Sequence, residues 1–302
     1  MGKTLHFTKM HSCGNDYIYF NCFGQGGGRD HDHDQGQHIE SPQALSVKLS
    51  HRLTGIGGDG IVMILPSSVA DARMRMFNSL DGSEGDSGNA IRCVAKYLYD
   101  TGLVPKQSMR IQTLNGVKEL SLTTEDGKVR AVRVDMGPAE LRPEMIPVNL
   151  PGDSVIARPV TIGGVVYRIT CVSMGNPHAV IFITGMGELG AVELAALELS
   201  KIGPMFEHNP IFPQRVNVDF VQIVGRNHLR TRVWERGSGE TKGSGTGACA
   251  AAVAAVINGY GDKNKSIKVE MPGGELAVEY TNETVYMTGD CVKVFDGVVE
   301  VY

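Results

Sequence analysis

Arg73-Met74-Arg75-Met76-Phe77-Asn78 is followed by Gly82 and Ser87-Gly88, and Arg230-Thr231-Arg232-Val233-Trp234-Glu235 is followed by Gly239 and Ser244-Gly245. The two stretches superimpose at a shift of 157 positions without a gap. Self-similarity on this scale means that one supersecondary plan is used twice, so the fold has to be read as two related halves. Further out, Gly14-Asn15 ahead of the apolar run Tyr17 to Phe20 matches Gly175-Asn176 ahead of Ala179 to Ile183, at a slightly different offset. Each half repeats one order of parts: a Gly-Asn turn, a strand, a later alternating strand, a Gly-rich loop and a helix.

Pattern places the helices. After Ser87-Gly88-Asn89, the segment Ala90 to Tyr99 has few breakers and sets Ile91, Val94, Ala95 and Leu98 at helical spacing. After Ser244-Gly245-Thr246, Ala248 to Ile257 is rich in Ala and Val and ends at Asn258-Gly259, a C-cap signal. That helix is apolar nearly all round, which predicts burial at a domain centre. A third helix is expected from Ser41-Pro42 to about Arg52, with proline in its first turn. The remainder reads as strands with hairpin turns at Asn115-Gly116, Gly163-Gly164 and Pro272-Gly273-Gly274. The expected class is α+β: two pseudo-symmetric domains, each a curved, mostly antiparallel sheet around a central helix. Asp135 to Pro138 and the proline-bearing Arg142 to Gly152 read as the connecting segment. The expected division is 1–136 and 137–289, with the C-terminal strand, about 290–302, a candidate to complete the first half.

Composition narrows the function classes. The 302 residues suit two domains at roughly 150 residues each. With 42% apolar and 21% charged residues the chain is ordinary globular protein, neither wholly disordered nor fibrous. A net charge of −4 lacks the basic excess of a nucleic-acid binder. The most apolar stretch, Cys249 to Ile257, is about half of the ~20 residues a membrane span needs, and Met1 to His11 lacks the long apolar region of a signal peptide. A cytoplasmic protein with neither membrane nor nucleic-acid partner is expected. Six scattered cysteines (Cys13, Cys22, Cys93, Cys171, Cys249, Cys291) with no C-x-x-C pair read as reduced, mostly buried thiols. Arg29 to His38 carries three histidines among aspartates. Breaker-rich and poor in apolar residues, this segment is better read as an exposed insertion than as the transition-metal site its side chains would otherwise suit.

A Gly-rich loop that feeds a helix N-terminus makes an anion site, because first-turn N–H groups lack intrahelical acceptors and face the positive end of the helix dipole. Two such loops at matching places in related halves suggest one shared cleft and a substrate approached from both faces. Amino-acid racemisation fits: one group removes the α-proton, a second returns it on the opposite face, and the helix N–H groups hold the α-carboxylate and spread its developing charge. Ser87 and Ser244 are then the candidate pair.

His11 to Asp16 (HSCGND), Gly55 to Asp59 (GIGGD), Phe77-Asn78 with Asp81 to Glu84 (DGSE), and Gly88 to Cys93 (GNAIRC) lie in the first half. Ser173 to His178 (SMGNPH), Arg215 to Asn217 (RVN), Trp234 to Gly237 (WERG) with Gly239 to Thr241 (GET), and Gly245 to Cys249 (GTGAC) follow in the second. In this order the set resembles the diaminopimelate epimerase family, from the first strand to the last quarter of the chain. The resemblance implies a cofactor-independent, metal-free amino-acid epimerase with two pseudo-symmetric domains, often a homodimer, in lysine and peptidoglycan precursor synthesis. It implies that Asn15, Asn78, Asn176 and Asn217 bind polar groups of a diaminopimelate-like amino acid. Arg236 would pair with the distal carboxylate, Glu235 would lie near the amino group, and His178 near the reacting centre. Gly88-Asn89 and Gly245-Thr246 would donate N–H groups to the reacting carboxylate.

The chain departs from the family at the reacting pair, since Ser87 and Ser244 stand where it has cysteines. A thiol ionises from a pKa of about 8.5, lower in a positive field, whereas serine needs an adjacent base. Asp86 is next to Ser87 but points elsewhere in a turn, and His178 is the better substitute because imidazole titrates near neutrality. Cys93 and Cys249 lie roughly 8 Å further along their helices, out of reach. Leu80 is extra, one residue is missing before Ser87, and Gly243 replaces a usual alanine, which points to a diverged homologue rather than to exchange of the nucleophiles alone. Two readings stand beside the epimerase: a silent homologue that binds without turnover, and another isomerase of the superfamily, of the proline racemase or phenazine-pathway type. Asn89 stands where proline racemases have histidine.

Overall fold

The computed structural model describes residues 2–23, 37–183 and 193–301. The insertion read at Arg29 to His38 falls outside these residues except for Gln37 and His38. The chain divides into two compact units, one of Met1–Val134 with Gly289–Tyr302, the other of Asp135–Thr288.

The first unit contains β1 (Lys3–Ser12), β2 (Asn15–Asn21), α1 (Pro42–Ser50), β3 (Gly60–Leu65), β4 (Ala72–Asn78), β5 (Glu84–Gly85), α2 (Gly88–Asp100), β6 (Ser108–Thr113) and β7 (Gly116–Glu125). β8 (Lys128–Gly137) then carries the chain onward, so the segment read from sequence as a connector at Asp135 begins as strand. β1 and β2 are antiparallel, β2 and β3 parallel, β3 and β4 antiparallel, β4 and β6 parallel, β6 and β7 antiparallel.

The second unit follows with β9 (Arg158–Ile162), β10 (Val165–Ser173), β11 (Pro177–Ile183), α3 (Leu199–Glu207), β12 (Asn217–Gly225), β13 (His228–Glu235), β14 (Gly239–Thr241), α4 (Gly245–Ile257), β15 (Ser266–Met271), β16 (Gly274–Tyr280) and β17 (Val285–Gly289). From β10 to β16 the pairing runs antiparallel, parallel, antiparallel, then parallel between β13 and β15, then antiparallel. This is the order of β1 to β7 repeated. β18 (Val292–Val301) belongs to the first unit and lies antiparallel to β1, with Lys3 opposite Val301.

The Gly-Asn pairs are the turns of the matching hairpins β1–β2 and β10–β11. Gly14 has φ 80° and Gly175 φ 93°, conformations that an L side chain would strain. α2 buries Ile91, Cys93, Val94, Ala95 and Leu98. α4 is buried from Ala248 through Ala255, and its alanines let the surrounding strands approach it closely. α3 was not expected from sequence. It carries Pro204 inside, which lacks a backbone N–H and obscures the helical pattern, yet it buries Leu199, Gly203, Phe206 and Glu207. It sits between β11 and β12 as α1 sits between β2 and β3.

Candidate active site

Each unit carries one assembly at the start of its central helix. In the first, Ser87 is the N-cap of α2, with extended backbone (φ −149°, ψ 123°) and Oγ accepting the Ala90 N–H at 3.2 Å. The first helical bond is Ile91 N–H to Ser87 O at 3.1 Å, so the amides of Gly88 and Asn89 begin the turn ahead of it. The Asn89 side-chain amide donates to Asn15 Oδ1, and Asn15 Nδ2 donates to Asp59 Oδ2 at 3.1 Å. Arg92, fully buried, reaches back from the next turn: its guanidinium donates to Asn89 Oδ1 at 2.7 Å, Ser12 Oγ at 2.6 Å and Gly88 O at 3.2 Å. Three of the expected residues, Asn15, Ser87 and Asn89, are therefore gathered on one frame, held by two residues to which no role was given, Arg92 and Asp59. Arg92 had a signal in sequence, since a residue four after Gly88 on a helix faces back toward the N-terminus.

Asn78 is engaged differently. Its Oδ1 accepts the Leu80 and Asp81 N–H groups, both at 3.0 Å, and its Nδ2 donates to Ser83 Oγ. This is the Asx-turn behaviour ordinarily expected of asparagine beside a loop. Asp86 accepts the Ser87 backbone N–H at 3.0 Å and the Thr113 hydroxyl at 2.6 Å.

In the second unit Ser244 is the N-cap of α4 (φ −125°, ψ 121°), with Oγ accepting the Gly247 N–H at 3.2 Å. Around it the residues are coupled. The register of β11 on β12 sets His178 beside Asn217 and Val180 beside Asp219. His178, 0% exposed, has Nδ1 at 2.7 Å from Asp219 Oδ2. Its Nε2 lies 3.1 Å from Asn176 Oδ1 and 3.1 Å from Thr246 Oγ1, and Thr246 Oγ1 lies 3.4 Å from Ser244 Oγ. Against an ionised carboxylate, which only accepts, a neutral ring would carry its proton on Nδ1. Asp219 was missed in sequence; the two-residue step from Asn217 along a strand was its signal, because it puts both on one face.

Asn217, Glu235 and Arg236 form a neighbouring group. Asn217 Nδ2 donates to Pro177 O at 2.8 Å, and its Oδ1 accepts the Arg236 backbone N–H at 2.9 Å. Glu235 accepts the Thr241 hydroxyl. The Arg236 side chain is exposed and donates to Gln214 O at 2.9 Å. Glu207 of α3 braces this loop, accepting Trp234 Nε1–H at 2.7 Å and the Gly237 N–H at 2.9 Å. Burial works to raise the Glu207 carboxyl's pKa, but the Trp234 and Gly237 donors, with His208 and Arg215 nearby, hold it below the usual carboxylate range.

None of the six cysteines forms a disulfide, and all but Cys22 are buried. Burial pushes the Cys93 thiol up to about 12, so it is not a thiolate at neutral pH. Among the described residues no His, Cys, Asp and Glu cluster could hold a metal ion, and no helix is long and apolar enough to cross a membrane.

One family pattern, diaminopimelate epimerase, matches residues 7–142 and 170–294. The chain is 48% identical over 299 residues to the diaminopimelate epimerase of Acetivibrio thermocellus, covering 98% of this chain and 99% of that protein. It is also 48% identical over 306 residues to that of Desulfovibrio desulfuricans, with 98% and 99% covered. Among solved structures, a hydroxyproline epimerase from Agrobacterium vitis aligns at TM-score 0.66 with 17% identity, over 99% of this chain and 92% of that one. A PhzF-family phenazine biosynthesis protein of Bacillus anthracis aligns at TM-score 0.65 with 16% identity, over 99% and 100%. These two share the fold.

Proposed function

Because the chain belongs to the diaminopimelate epimerase family, we propose that it interconverts LL- and meso-diaminopimelate by moving the α-proton between two proton carriers, without a cofactor. The observation that carries this reading is a duplicated one. An extended N-cap serine opens a buried helix after a Gly-rich loop once in each unit, at Ser87 and at Ser244.

The two serines, one from each unit, are the two proton carriers. The first-turn amides of Gly88 and Asn89, and of Gly245 and Thr246, take the reacting carboxylate, where a negative charge grows as the proton leaves. The exposed Arg236 guanidinium takes the distal carboxylate in bidentate fashion, and Glu235 takes the amino group. Asn15 and Asn176 supply polar contacts, and buried Asn217 contributes as well while holding the Arg236 backbone N–H. Asn78, whose carbonyl oxygen is committed to its own turn, contributes by shaping the loop from Ser79 to Ser83.

The test is proton–deuterium exchange at the α-carbon and stereoisomer interconversion in D2O with LL-, meso- and DD-diaminopimelate. Exchange with diaminopimelate and none with proline supports the reading; exchange with proline alone overturns it. Arg236→Ala is expected to weaken diaminopimelate binding by roughly tenfold or more, as a charge-assisted pair of about 1.5–3 kcal/mol is lost. Calorimetry showing equal affinity in both proteins would remove Arg236 from the site.

The same reading makes the protein a cytoplasmic homodimer. Its reduced cysteines suit that compartment. β18 offers exposed apolar side chains at Val292, Val294, Phe295 and Val298, a surface that suits contact with a second copy. Light scattering that gives the mass of one chain would dismiss the dimer.

A further inference from the structure

Serine at a proton-transfer position needs a base, and the second unit holds one within two hydrogen bonds of Ser244. We propose that Ser244 carries protons through a relay to Thr246 Oγ1 and His178 Nε2, with Asp219 as the positioning residue that fixes the ring. The proposal rests on reading Ser244 as one of the two proton carriers.

From Ser244 through Thr246 and His178 to Asp219, the hydrogen bonds fit one direction of donation. Ser244 Oγ accepts the Gly247 N–H at 3.2 Å, which leaves its own proton to point at Thr246 Oγ1, 3.4 Å away. Thr246 accepts it, together with Asn176 Nδ2–H at 3.3 Å, and gives its own proton to His178 Nε2 at 3.1 Å. The ring then donates Nδ1–H to Asp219 Oδ2 at 2.7 Å. Asn176 Oδ1, 3.1 Å from Nε2, faces a lone pair while the ring is neutral. Once Nε2 is protonated, that oxygen becomes its acceptor, so the site is equipped for the charged ring. Burial of His178 and Asp219 to 0% and 1% exposure strengthens their mutual attraction relative to water. Gly247 permits the arrangement: a Cβ there would lie 2.4 Å from Asp219 Oδ1.

The step balances. The substrate Cα–H bond breaks and its electron pair stays on the substrate, spread toward the carboxylate. The proton bonds to Ser244 Oγ as the serine's former proton passes to Thr246 and Thr246's to His178 Nε2. The net change is one proton moved from carbon to imidazole, leaving an anion on the substrate and an imidazolium beside the Asp219 carboxylate. Reversal after the hydroxyls have equilibrated with D2O returns a deuteron to the same face, which is exchange without inversion.

The experiment compares Asp219→Asn in two backgrounds, the present serine and Ser244→Cys. A thiol ionises from about 8.5 unaided and has little use for the relay. With serine, Asp219→Asn is expected to lower kcat for exchange by roughly 10²-fold with KM nearly unchanged; with Ser244→Cys the loss is expected to stay under about tenfold. Equal losses in both backgrounds would make Asp219 a structural residue and overturn the proposal. Thr246→Val, close in shape, serves as a second variant with the same expected pattern. Nitrogen-15 NMR of the histidine ring gives a readout independent of substrate. The unsubstituted protein is expected to carry the His178 proton on Nδ1 and to lose that preference in Asp219→Asn; a proton resident on Nε2 in the unsubstituted protein would overturn the relay. If no variant exchanges deuterium into diaminopimelate, the substrate reading fails, and the ring spectra still decide the relay.

Discussion

In the second unit, the strand register and helix cap place Asn176, His178, Asp219, Ser244, Thr246 and Gly247 together; in the first, the same positions hold Asn15, Tyr17, Val62, Ser87, Asn89 and Ala90. The equivalence follows from the pairing of Tyr17 with Gly60 in one unit and His178 with Asn217 in the other. Two serines cap two buried helices in nearly the same backbone conformation. Ser244 leads through Thr246 to an imidazole with a carboxylate; in the first unit Val62 holds the strand position of Asp219, and the helix start is framed by amides around buried Arg92. Asp86, the acid next to Ser87 in sequence, has both carboxylate oxygens engaged, by the Ser87 backbone and by Thr113. The duplication preserved the serine-capped helix start in both units and placed a His–Asp pair beside the second.

The sharpest challenge to that contrast is to give both sides the same chemistry. Ser87→Cys with Ser244→Cys is expected to raise stereoisomer interconversion by at least roughly 10²–10⁴-fold, the worth of a well-placed acid or base. Neither change alone restores it fully, because groups that act as a unit are not additive. The asymmetry orders the single variants: Ser87→Cys alone, which repairs the side lacking a base, is expected to exceed Ser244→Cys alone by on the order of tenfold. Equal single effects would say that the relay behind Ser244 confers no advantage. A folded, ligand-binding double variant without activity would mean that the altered loop from Leu80 to Asp86 holds position 87 out of line with the α-carbon.

This contrast was only half legible in the sequence. The shift of 157 positions exposed both Gly-rich loops and both central helices, because glycines and a helical apolar pattern are local signals. The repeat also contained α3, which a position-by-position reading missed: α1 lies between the parallel strands β2 and β3, so the second half required a helix between β11 and β12. Pro204 masked it locally. Asn15, Asn89, Asn176 and His178 were named from the sequence, but the partners that the structure gives to Asn15, Asn89 and His178, namely Asp59, Arg92 and Asp219, were not. Each partner acts across a contact set by strand register or a helical turn, and no spacing within a single motif records that. Asn78, named by resemblance, accepts two N–H groups of its own turn, a local contact that its place beside a loop does record.

A stability measurement probes the amide frame of the first unit. Arg92 is 0% exposed and donates to Asn89, Ser12 and Gly88. Arg92→Leu keeps bulk but leaves buried acceptors without their charged donor, and it is expected to cost at least about 1.5–3 kcal/mol in urea unfolding. Asn89 then loses one of its anchors, so affinity for a carboxylate ligand should fall as well. A variant as stable as the unsubstituted protein would mean that the frame relaxes around the loss, and that the first unit is less rigidly built than its hydrogen bonds indicate.

The smallest effect is the most specific, because its sign differs from what helix propensity dictates. Ala90 and Gly247 occupy the same place, three residues after their N-cap serines, and each donates its N–H to the serine Oγ. In a helix, alanine is favoured over glycine by about 0.5–1 kcal/mol. Ala90→Gly is therefore expected to destabilise the protein by about that amount and to leave His178 untouched. Propensity alone predicts the same gain for Gly247→Ala. The added Cβ, however, would meet Asp219 Oδ1 at 2.4 Å, well inside contact distance, and Ser244 Cβ at 3.1 Å. The carboxylate must move, and moving it weakens its hold on Nδ1 of His178. Gly247→Ala is accordingly expected to lose stability and to shift the ring's tautomer in nitrogen-15 spectra, while Ala90→Gly loses stability without the spectral change. If Gly247→Ala instead stabilises the protein and leaves the ring as it was, the second helix start has room that the Asp219 contact denies, and the two sites differ less than their side chains indicate.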